Sequence, residues 1–318
     1  MSDQPVQHMQ CMEVWSGSQL TESRVEFGGL DAWVYSKPFG ESRHGGDIYY
    51  ASSCATGRIT RLLVADVAGH GSTVADTATG LRALMRRFVN HLDQAEFIRL
   101  LNRQFSELSQ AGTFATAIVT TFFAPTGRLT VCNAGHPRPL RYQASRRQWS
   151  LLSASEHTAE AVTNFPLGIV SLAEYEQFDI ELEPGDFLLC YTDALIEASD
   201  SDGEPLGEAG LLRVVSQLGH LDAHSLTDVI LKEIASRDPA NLSDDDVTVL
   251  VVRANGRPAH HPFSQKLRAF GRFLGTLLRA VNPRAERPPL PDANLANIGG
   301  AIIPALGRRW RAPRTPQK

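Results

Sequence analysis

Four aspartates stand at the ends of apolar segments of the sequence. Asp47 directly precedes IYYASS, Asp66 lies near the end of RLLVADV, Asp193 follows FLLCYT, and Asp245 lies just before VTVLVV. If these segment ends meet at one edge of the fold, the four carboxylates repel one another unless divalent cations bind them. Carboxylate oxygens are the donors that Mg²⁺ and Mn²⁺ prefer in proteins. The pattern therefore predicts a divalent-metal site.

Glycines accompany two of these aspartates, in the segments HGGD and DVAGHG. Because glycine has no side chain, the backbone at these positions can approach a metal closely and turn a carbonyl oxygen toward it. The glycines concerned are Gly45, Gly46, Gly69 and Gly71. Backbone contacts to a metal are therefore expected beside the carboxylates.

Antiparallel strands and neighbouring helices must position these residues. Strand patterns joined by short turns, such as Pro125-Thr126-Gly127 and Pro184-Gly185, indicate hairpins. After Ser72, a helix is predicted whose inward face is Val74, Ala78, Leu81, Met85, Phe88 and Leu92.

A second helix is predicted from the capping-box spacing of Asp93 and Glu96. Its inward residues are Phe97, Leu100, Leu101, Phe105 and Leu108. Further helices are predicted over about 208–218 and 224–237. The predicted fold class is α+β, an antiparallel β-sandwich flanked by antiparallel helix pairs, with a basic C-terminal tail.

Composition indicates an ordinary soluble globular protein in a reducing compartment. The chain has 318 residues, of which 42% are hydrophobic and 21% charged, and it lacks a nucleotide-binding glycine motif. Its cysteines, Cys11, Cys54, Cys132 and Cys190, form no CxxC pair. The polar beginning of the sequence is unlike a signal peptide, and no apolar run is long enough to span a membrane. The expected location is cytoplasmic.

The charge distribution divides the chain. Residues 253–318 carry 13 Lys and Arg against Glu286 and Asp292, a net charge of +11, which leaves −15 for residues 1–252. The tail is also rich in proline, as in RPPLPD and RAPRTPQK. We therefore divide the chain into an N-terminal extension (1–25), a catalytic domain (26–254) and a basic, partly disordered tail (255–318).

The tail contains a basic amphipathic helix pattern over residues 263–281. Its apolar face consists of Phe263, Leu267, Phe270, Leu274, Leu277 and Val281. Such a helix can pack on the acidic domain, bind a partner protein, or lie peripherally on an anionic membrane. We favour packing or partner binding over the membrane, because the apolar face lacks tryptophan. No motif supports nucleic-acid binding.

Six segments in order resemble a known family: GGD, DVAGHG, NAGHPRPL, PLGI, GDFLLCYTDALIEASD and DDDVTVLVV. Together they resemble the metal-dependent protein phosphatase 2C-like domain in its bacterial SpoIIE/RsbU-type branch, over about residues 26–252. The resemblance implies a β-sandwich flanked by helix pairs, with a two-metal centre at one end. It also implies hydrolysis of phosphoserine or phosphothreonine on a phosphorylated regulator of the anti-sigma-factor antagonist type.

The resemblance also assigns roles to residues of this sequence. Asp66 matches the carboxylate that bridges two Mn²⁺ or Mg²⁺ ions, and Val67 matches a residue whose backbone carbonyl reaches one of them. Asp193 and Asp245 match ligands of the second metal, and Asp47 a ligand of the first, direct or through water. Asp66 and Asp193 are thus the expected catalytic residues. The implied mechanism is in-line attack on phosphorus by a metal-bridged hydroxide.

Three positions depart from the family pattern or leave it ambiguous. Tyr50 stands where the family often has a second acidic residue, which would weaken the first-metal site. In DDDVT the ligand fits Asp245, with Asp246 at the following polar position, although Asp244 remains an alternative. Arg43 is a candidate phosphate-binding residue.

Two further alternatives follow from the residues. A metal-poor pseudophosphatase that binds a phosphoprotein without turnover is suggested by Tyr50, whereas the four retained aspartates argue against it. His44, His70 and His136 are interpreted as hydrogen-bonding loop residues, because hard cations prefer oxygen. Cys132 and Cys190 are expected in the core.

Overall fold

The architecture was analysed in a computed structural model. It describes residues 7–8, 14–53, 57–69, 74–89, 91, 93–108, 112–153, 163–218 and 222–257. The predictions for Cys11, Cys54, His70, Gly71, Ser72, Leu92 and the tail helix at 263–281 lie outside the described residues.

Two sheets form the centre of the fold. The seven-stranded sheet has the order β1 (Gln7–His8), β3 (Thr21–Phe27), β4 (Leu30–Lys37), β13 (Val247–Ala254), β12 (Phe187–Tyr191), β9 (Leu140–Gln143) and β10 (Gln148–Leu151). The six-stranded sheet has the order β11 (Gln177–Glu181), β8 (Arg128–Ala134), β7 (Ala115–Phe123), β6 (Ile59–Val67), β5 (Ile48–Ser53) and β2 (Val14–Gly17). Neighbouring strands are antiparallel except β1 and β3, which are parallel.

Helices cover the outer face of each sheet. Helices α1 (Ala75–Phe88) and α2 (Gln94–Leu108) pack on the six-stranded sheet, and α4 (Gly207–Gln217) and α5 (Ala223–Arg237) pack on the seven-stranded one. A short helix, α3 (Ala194–Glu197), follows β12. Three apolar cores result, one between the sheets and one under each helix pair. The predicted helix-flanked antiparallel sandwich is confirmed.

The alternation of side chains along the strands explains these three cores. In β5, Tyr49 and Ala51 join the core between the sheets, whereas Ile48 and Tyr50 join the core under α1 and α2. Both faces of the central strands are therefore buried, which is why their sequences are almost continuously apolar. Cys132 and Cys190 are buried in these cores, as predicted.

The sheets begin earlier in the chain than the predicted domain boundary at residue 26. Strand β2 pairs with β5, and β3 pairs with β4 along its whole length. Within β3 only Val25 and Phe27 are buried, so its mostly polar sequence carries no clear strand pattern. Residues 14–25 thus belong to the sandwich rather than to a separate extension.

Helix α2 starts as predicted but its last residue does not pack inward. The Asp93 carboxylate accepts a hydrogen bond from the Glu96 backbone N–H at 2.8 Å, as an N-cap does. Phe97, Leu101 and Phe105 are buried, whereas Leu108 is 63% exposed. The prediction for Leu108 was wrong because the helix ends there, one turn beyond the last core contact. In the part of the chain that the structure describes, no helix is both long and apolar enough to span a membrane.

A buried arginine on β6 fixes the turn between α1 and α2. The Arg61 guanidinium donates hydrogen bonds to Thr121 Oγ1 at 3.1 Å, to the Val89 carbonyl at 3.0 Å and to the His91 carbonyl. It also stacks over the Phe97 ring at 4.5 Å, and burial lowers the pKa of Arg61 to about 10. The strand that carries Asp66 is thereby tied to the helix pair above it.

We expect Arg61→Met to lower the free energy of unfolding by about 3 kcal/mol, because two part-buried carbonyls and the Thr121 hydroxyl would lose their charged donor. Urea denaturation followed by circular dichroism measures this change. Arg58→Met is the matched control, since Arg58 is an exposed arginine three residues earlier. Equal losses in the two variants would show that Arg61 does not fix the turn.

Candidate metal centre

The strand ends bring the four predicted aspartates to one end of the sandwich. In the six-stranded sheet β5 begins where β6 ends, with Ile48 paired to Ala65, so Asp47 and Asp66 lie close together. In the other sheet β12 ends where β13 begins, with Tyr191 paired to Val249, and Asp193 and Asp245 flank that junction. The two pairs face each other closely enough for Asp193 and Asp245 to act electrostatically on Asp66. We call Asp47, Asp66, Asp193 and Asp245 the candidate metal centre.

Asp47 is almost completely buried, with 3% of its surface exposed. Its carboxylate accepts a hydrogen bond from Thr192 Oγ1 at 2.8 Å, and Thr192 Oγ1 in turn accepts the Thr248 N–H at 2.9 Å. Burial, together with repulsion from Asp66, raises the pKa of Asp47 well above its usual value. A carboxylate in this position needs either a proton or a cation.

The pKa values of the Asp66 and Asp193 carboxyls are also raised. Burial, with added repulsion from Asp193 and Asp245, raises the pKa of Asp66 to about 8. Burial and the nearby Glu197 raise the pKa of Asp193 to about 6. Glu197 was not among the predicted residues, although its position one helical turn after Asp193 would have placed it on the same side of α3.

The structure separates the three consecutive aspartates of DDDVT. Asp246 is buried and accepts hydrogen bonds from the Phe39 and Gly46 N–H groups, each at 2.6 Å. Asp245 is partly exposed and acts electrostatically on both Asp66 and Asp193, whereas Asp244 is exposed. This arrangement favours Asp245 over Asp244 as the member of the centre and makes Asp246 the residue that holds the loop before Asp47.

Sequence reasoning found Asp246 only as a polar position, because the loop that it binds lies 200 residues earlier in the chain. The same holds for Thr192, which holds Asp47. The sequence contained one signal for both residues. Thr192 directly precedes Asp193 and Asp246 directly follows Asp245, so each is a neighbour of a predicted member of the centre.

Val67 and the glycine loop supply backbone oxygens at the same end. Val67 is buried at the end of β6, and its N–H donates to the Gly46 carbonyl at 3.3 Å. A Cβ atom placed on Gly46 would lie 2.8 Å from the Val67 carbonyl oxygen and 3.1 Å from that of Gly69. On Gly45 it would lie 2.4 Å from the Asp246 carboxylate. Both positions therefore require glycine.

Two other predicted positions lie away from the buried acids. Arg43 is exposed in the loop before Gly45, and none of the contacts recorded among the described residues joins it to the four aspartates. The Tyr50 side chain is buried in the core under α1 and α2, and burial raises the pKa of its hydroxyl to about 12. Tyr50 therefore does not occupy the centre, and its effect on a metal site would be indirect.

His136 behaves as the hydrogen-bonding loop residue that the sequence indicates. Its Nδ1 lies 2.7 Å from Thr116 Oγ1, and Thr116 is the residue paired with Asp66 across β6 and β7. Burial lowers the pKa of His136 to about 3, so the ring is neutral. His44 lies 3.5 Å from Ser18 Oγ in the exposed loop.

The chemistry of the donors fits hard divalent cations. Carboxylates with raised pKa values at one end of the sandwich are an oxygen-only set that gains from positive charge. Among the described residues, however, no three His, Cys, Asp or Glu side chains are placed so that they hold one ion as they stand.

Comparison with known proteins identifies both a family and a fold. The family model described as Stage II sporulation protein E (SpoIIE) matches residues 56–255. Among solved structures, the RsbU and RsbW domains of a Mycobacterium tuberculosis protein superpose with a TM-score of 0.58 at 23% identity, covering 83% of this chain and 76% of that one.

Two further structures share the fold. The phosphatase domain of Bacillus subtilis SpoIIE, with a fragment of its regulatory domain, has a TM-score of 0.55 at 19% identity, covering 77% of this chain and 64% of that one. RsbX in complex with magnesium has a TM-score of 0.50 at 16% identity, covering 73% of this chain and 99% of that one. At these identities the likeness shows the fold.

We expect Asp246→Ala to lower the free energy of unfolding by about 2 to 4 kcal/mol, because two backbone N–H groups would lose a charged acceptor. The variant should also bind Mn²⁺ more weakly, since the loop before Asp47 loses its anchor. Urea denaturation and isothermal titration calorimetry measure the two effects. Asp244→Ala, the exposed neighbour, should match the wild type, and equal behaviour of the two variants would contradict the assignment.

In chelator, Asp66 should make the fold less stable as the pH rises from 7 to 8. Its raised pKa means that the folded state holds a proton that the unfolded state has already lost above about pH 4, so stability falls until the pH passes about 8. His136 acts oppositely, but only below its unfolded pKa of about 6.5. Asp66→Asn should flatten this dependence in thermal melts. A wild-type stability that is constant or rises over this interval would contradict the repulsion described here.

Proposed function

Because the chain belongs to the SpoIIE family of protein serine/threonine phosphatases, we propose that it hydrolyses phosphoserine and phosphothreonine with the help of two Mn²⁺ or Mg²⁺ ions. The observation that carries this proposal is the set of buried and half-buried, mutually repelling carboxylates at one end of the sandwich. Such a set is stabilised by divalent cations, and without them the pKa of Asp66, raised to about 8, keeps that carboxyl largely protonated near neutral pH.

Each member of the centre has a proposed role. Asp66 interacts electrostatically with Asp47 of its own pair and with Asp193 and Asp245 of the other, and it would serve both ions. Asp47 and the Val67 carbonyl would hold the first ion, and Asp193 and Asp245 the second. When bound, the ions would supply positive charge that activates water and offsets the charge of the phosphoryl oxygens.

The surrounding residues of the chain keep this centre in place. The Thr192 hydroxyl fixes one carboxylate oxygen of Asp47. Asp246 holds Gly46 and therefore the loop that leads into Asp47. These bonds orient the donors before a cation arrives, which is the usual contribution of residues around a metal site. Arg43, exposed on the same loop, remains the candidate for contacting the substrate phosphate.

We further propose that the substrate is a phosphorylated regulatory protein of the anti-sigma-factor antagonist type. The support is the SpoIIE family match and the likeness in fold to a protein that carries RsbU and RsbW domains. The basic segment 263–281 is proposed to dock on a partner or on the acidic domain, with an anionic membrane surface as the alternative.

The pseudophosphatase alternative depended on Tyr50. The Tyr50 side chain packs under the helices, away from the four aspartates. Hydrolysis remains our proposal because Asp47, Asp66, Asp193 and Asp245 are all retained and lie at one end of the sheets.

Asp66→Asn is expected to lower phosphatase activity by a factor of about 100 or more, because the bridging anion would be lost from both ions. The measurement is release of phosphate from p-nitrophenyl phosphate and from a phosphoserine peptide across a manganese titration. Circular dichroism checks that the variant is folded.

The control is Asp202→Asn, which removes an exposed carboxylate in the turn between α3 and α4 and should retain wild-type activity. Chelator should abolish activity of the wild type, and added Mn²⁺ or Mg²⁺ should restore it. Activity of Asp66→Asn within a few-fold of the wild type would refute the two-metal assignment.

A further inference from the structure

Exposed apolar side chains are concentrated at one place on the described surface. Of the six large hydrophobic residues that are exposed there, five belong to the end of α2, the start of β7 and the segment 167–172. They are Leu172 (78% exposed), Leu108 (63%), Ile169 (52%), Phe114 (38%) and Val170 (37%). We call these five residues the apolar patch. Clusters of this kind on a folded surface mark sites of interaction.

The backbone places the members of the patch side by side. Leu167 forms a bridge with Ala115, through hydrogen bonds of 2.9 and 2.7 Å between their backbone groups. A Cβ atom on Gly168 would lie 2.8 Å from the Thr113 carbonyl and 3.2 Å from the Phe105 ring. The segment 167–172 therefore lies against both the last turns of α2 and the residues just before β7.

A buried side chain fixes the shape of this segment. Asn102, which is 1% exposed, donates through Nδ2 to the carbonyls of Val170 at 2.8 Å and Ser171 at 3.2 Å. Its Oδ1 accepts the Gly168 N–H at 2.9 Å. Three hydrogen bonds from one buried amide fix the backbone of this loop. Its exposed apolar side chains are therefore attached to an ordered backbone. Such preorganisation favours binding.

The apolar patch adjoins the candidate metal centre. The Phe114 carbonyl accepts the Ala68 N–H at 2.9 Å, two residues beyond Asp66. Asp66 pairs with Thr116 on β7, and the 167–172 segment lies on the other side of β7 from β6. Since neighbouring strands are about 4.8 Å apart, the segment enters the sheet at Leu167 about 10 Å from β6, the strand that carries Asp66. An extended peptide covers that distance in about three or four residues.

The charges of the site explain why an apolar contact would be useful here. The centre is acidic and the reacting group of a phosphoprotein is also negative, so charge attraction to the bare protein does not bring them together. Apolar contacts are indifferent to these charges and supply binding energy away from the reacting atoms.

We propose that the apolar patch binds apolar side chains that lie about three to five residues from the phosphorylated residue of a protein substrate. This proposal rests on the phosphatase function proposed above and adds a determinant of substrate choice to it. The occupant is therefore a phosphoprotein with exposed leucine-like side chains beside its phosphoserine or phosphothreonine.

The test compares three substrates with the full-length chain loaded with Mn²⁺. They are p-nitrophenyl phosphate, a phosphoserine peptide with leucines four residues to either side of the phosphoserine, and the same peptide with serines in place of those leucines. We expect the wild type to hydrolyse the leucine peptide about tenfold better in kcat/KM, through a lower KM.

The double variant Ile169→Ser and Leu172→Ser should lose this preference while keeping its rate on p-nitrophenyl phosphate. Leu20→Ser is the matched control, because Leu20 is 71% exposed and lies outside the patch. It should keep the preference. A preference that survives in the double variant, or is absent from the wild type, would overturn the proposal.

Other occupants have distinct outcomes. Sedimentation velocity that shows a wild-type dimer and a monomeric double variant would assign the patch to a second copy of this chain and overturn the proposal. A double variant of the tail, Phe270→Ser with Leu274→Ser, tests the tail as occupant. Faster amide exchange at 167–172 in that variant would assign the apolar patch to the tail and would also overturn the proposal. A wild type inactive on all three substrates would overturn the phosphatase function as well, whereas loss of the peptide preference alone would leave that function standing.

Discussion

The repulsion among buried carboxylates is the constraint on which the rest of this structure depends. Burial raises the pKa values of Asp47, Asp66 and Asp193, and each of these acids raises the cost of ionising another. A fold that brings such groups together without a cation gives up stability at that point. Apolar burial in the rest of the sandwich must offset this loss of stability, and the three apolar cores of the two sheets provide that burial.

The frame around the centre is held by buried polar side chains that bind loop backbone. Asp246 binds the N–H groups of Phe39 and Gly46, and Asn102 binds the backbone of the 167–172 segment. Arg61 does the same for the turn between α1 and α2. Because a buried polar group is costly unless its partner is present, each of these contacts favours one loop conformation strongly over others. Within the described residues, each of these loops is thus tied to the sandwich by one polar side chain.

The fold class and the convergence of Asp47, Asp66, Asp193 and Asp245 were predictable, because strand ends in antiparallel sheets meet at one edge and apolar runs mark the strands. Long-range pairing was not predictable. The distinction between Asp245 and Asp246 depends on a loop 200 residues away, and the burial of β3 depends on its partner strand rather than on its own polar sequence. Leu108 has the helical spacing of a core residue, yet the helix ends there. Helical periodicity indicates which residues lie on the same face of a helix, but it does not indicate whether another element covers that face along its whole length.

The contrast between the two sides of β7 connects these observations. On one side, β6 carries Asp66 of the acidic centre one residue before its end; on the other side, the 167–172 segment presents uncharged apolar side chains. The centre already has further acids beside it, since Asp246 acts on Asp66 and Glu197 acts on Asp193, so more negative groups nearby would add to the repulsion of an anionic substrate. Apolar surface beside the centre offers contact area for a substrate without adding to that repulsion. The use proposed for the exposed leucines and isoleucine is therefore compatible with the electrostatic constraint that shapes the centre itself.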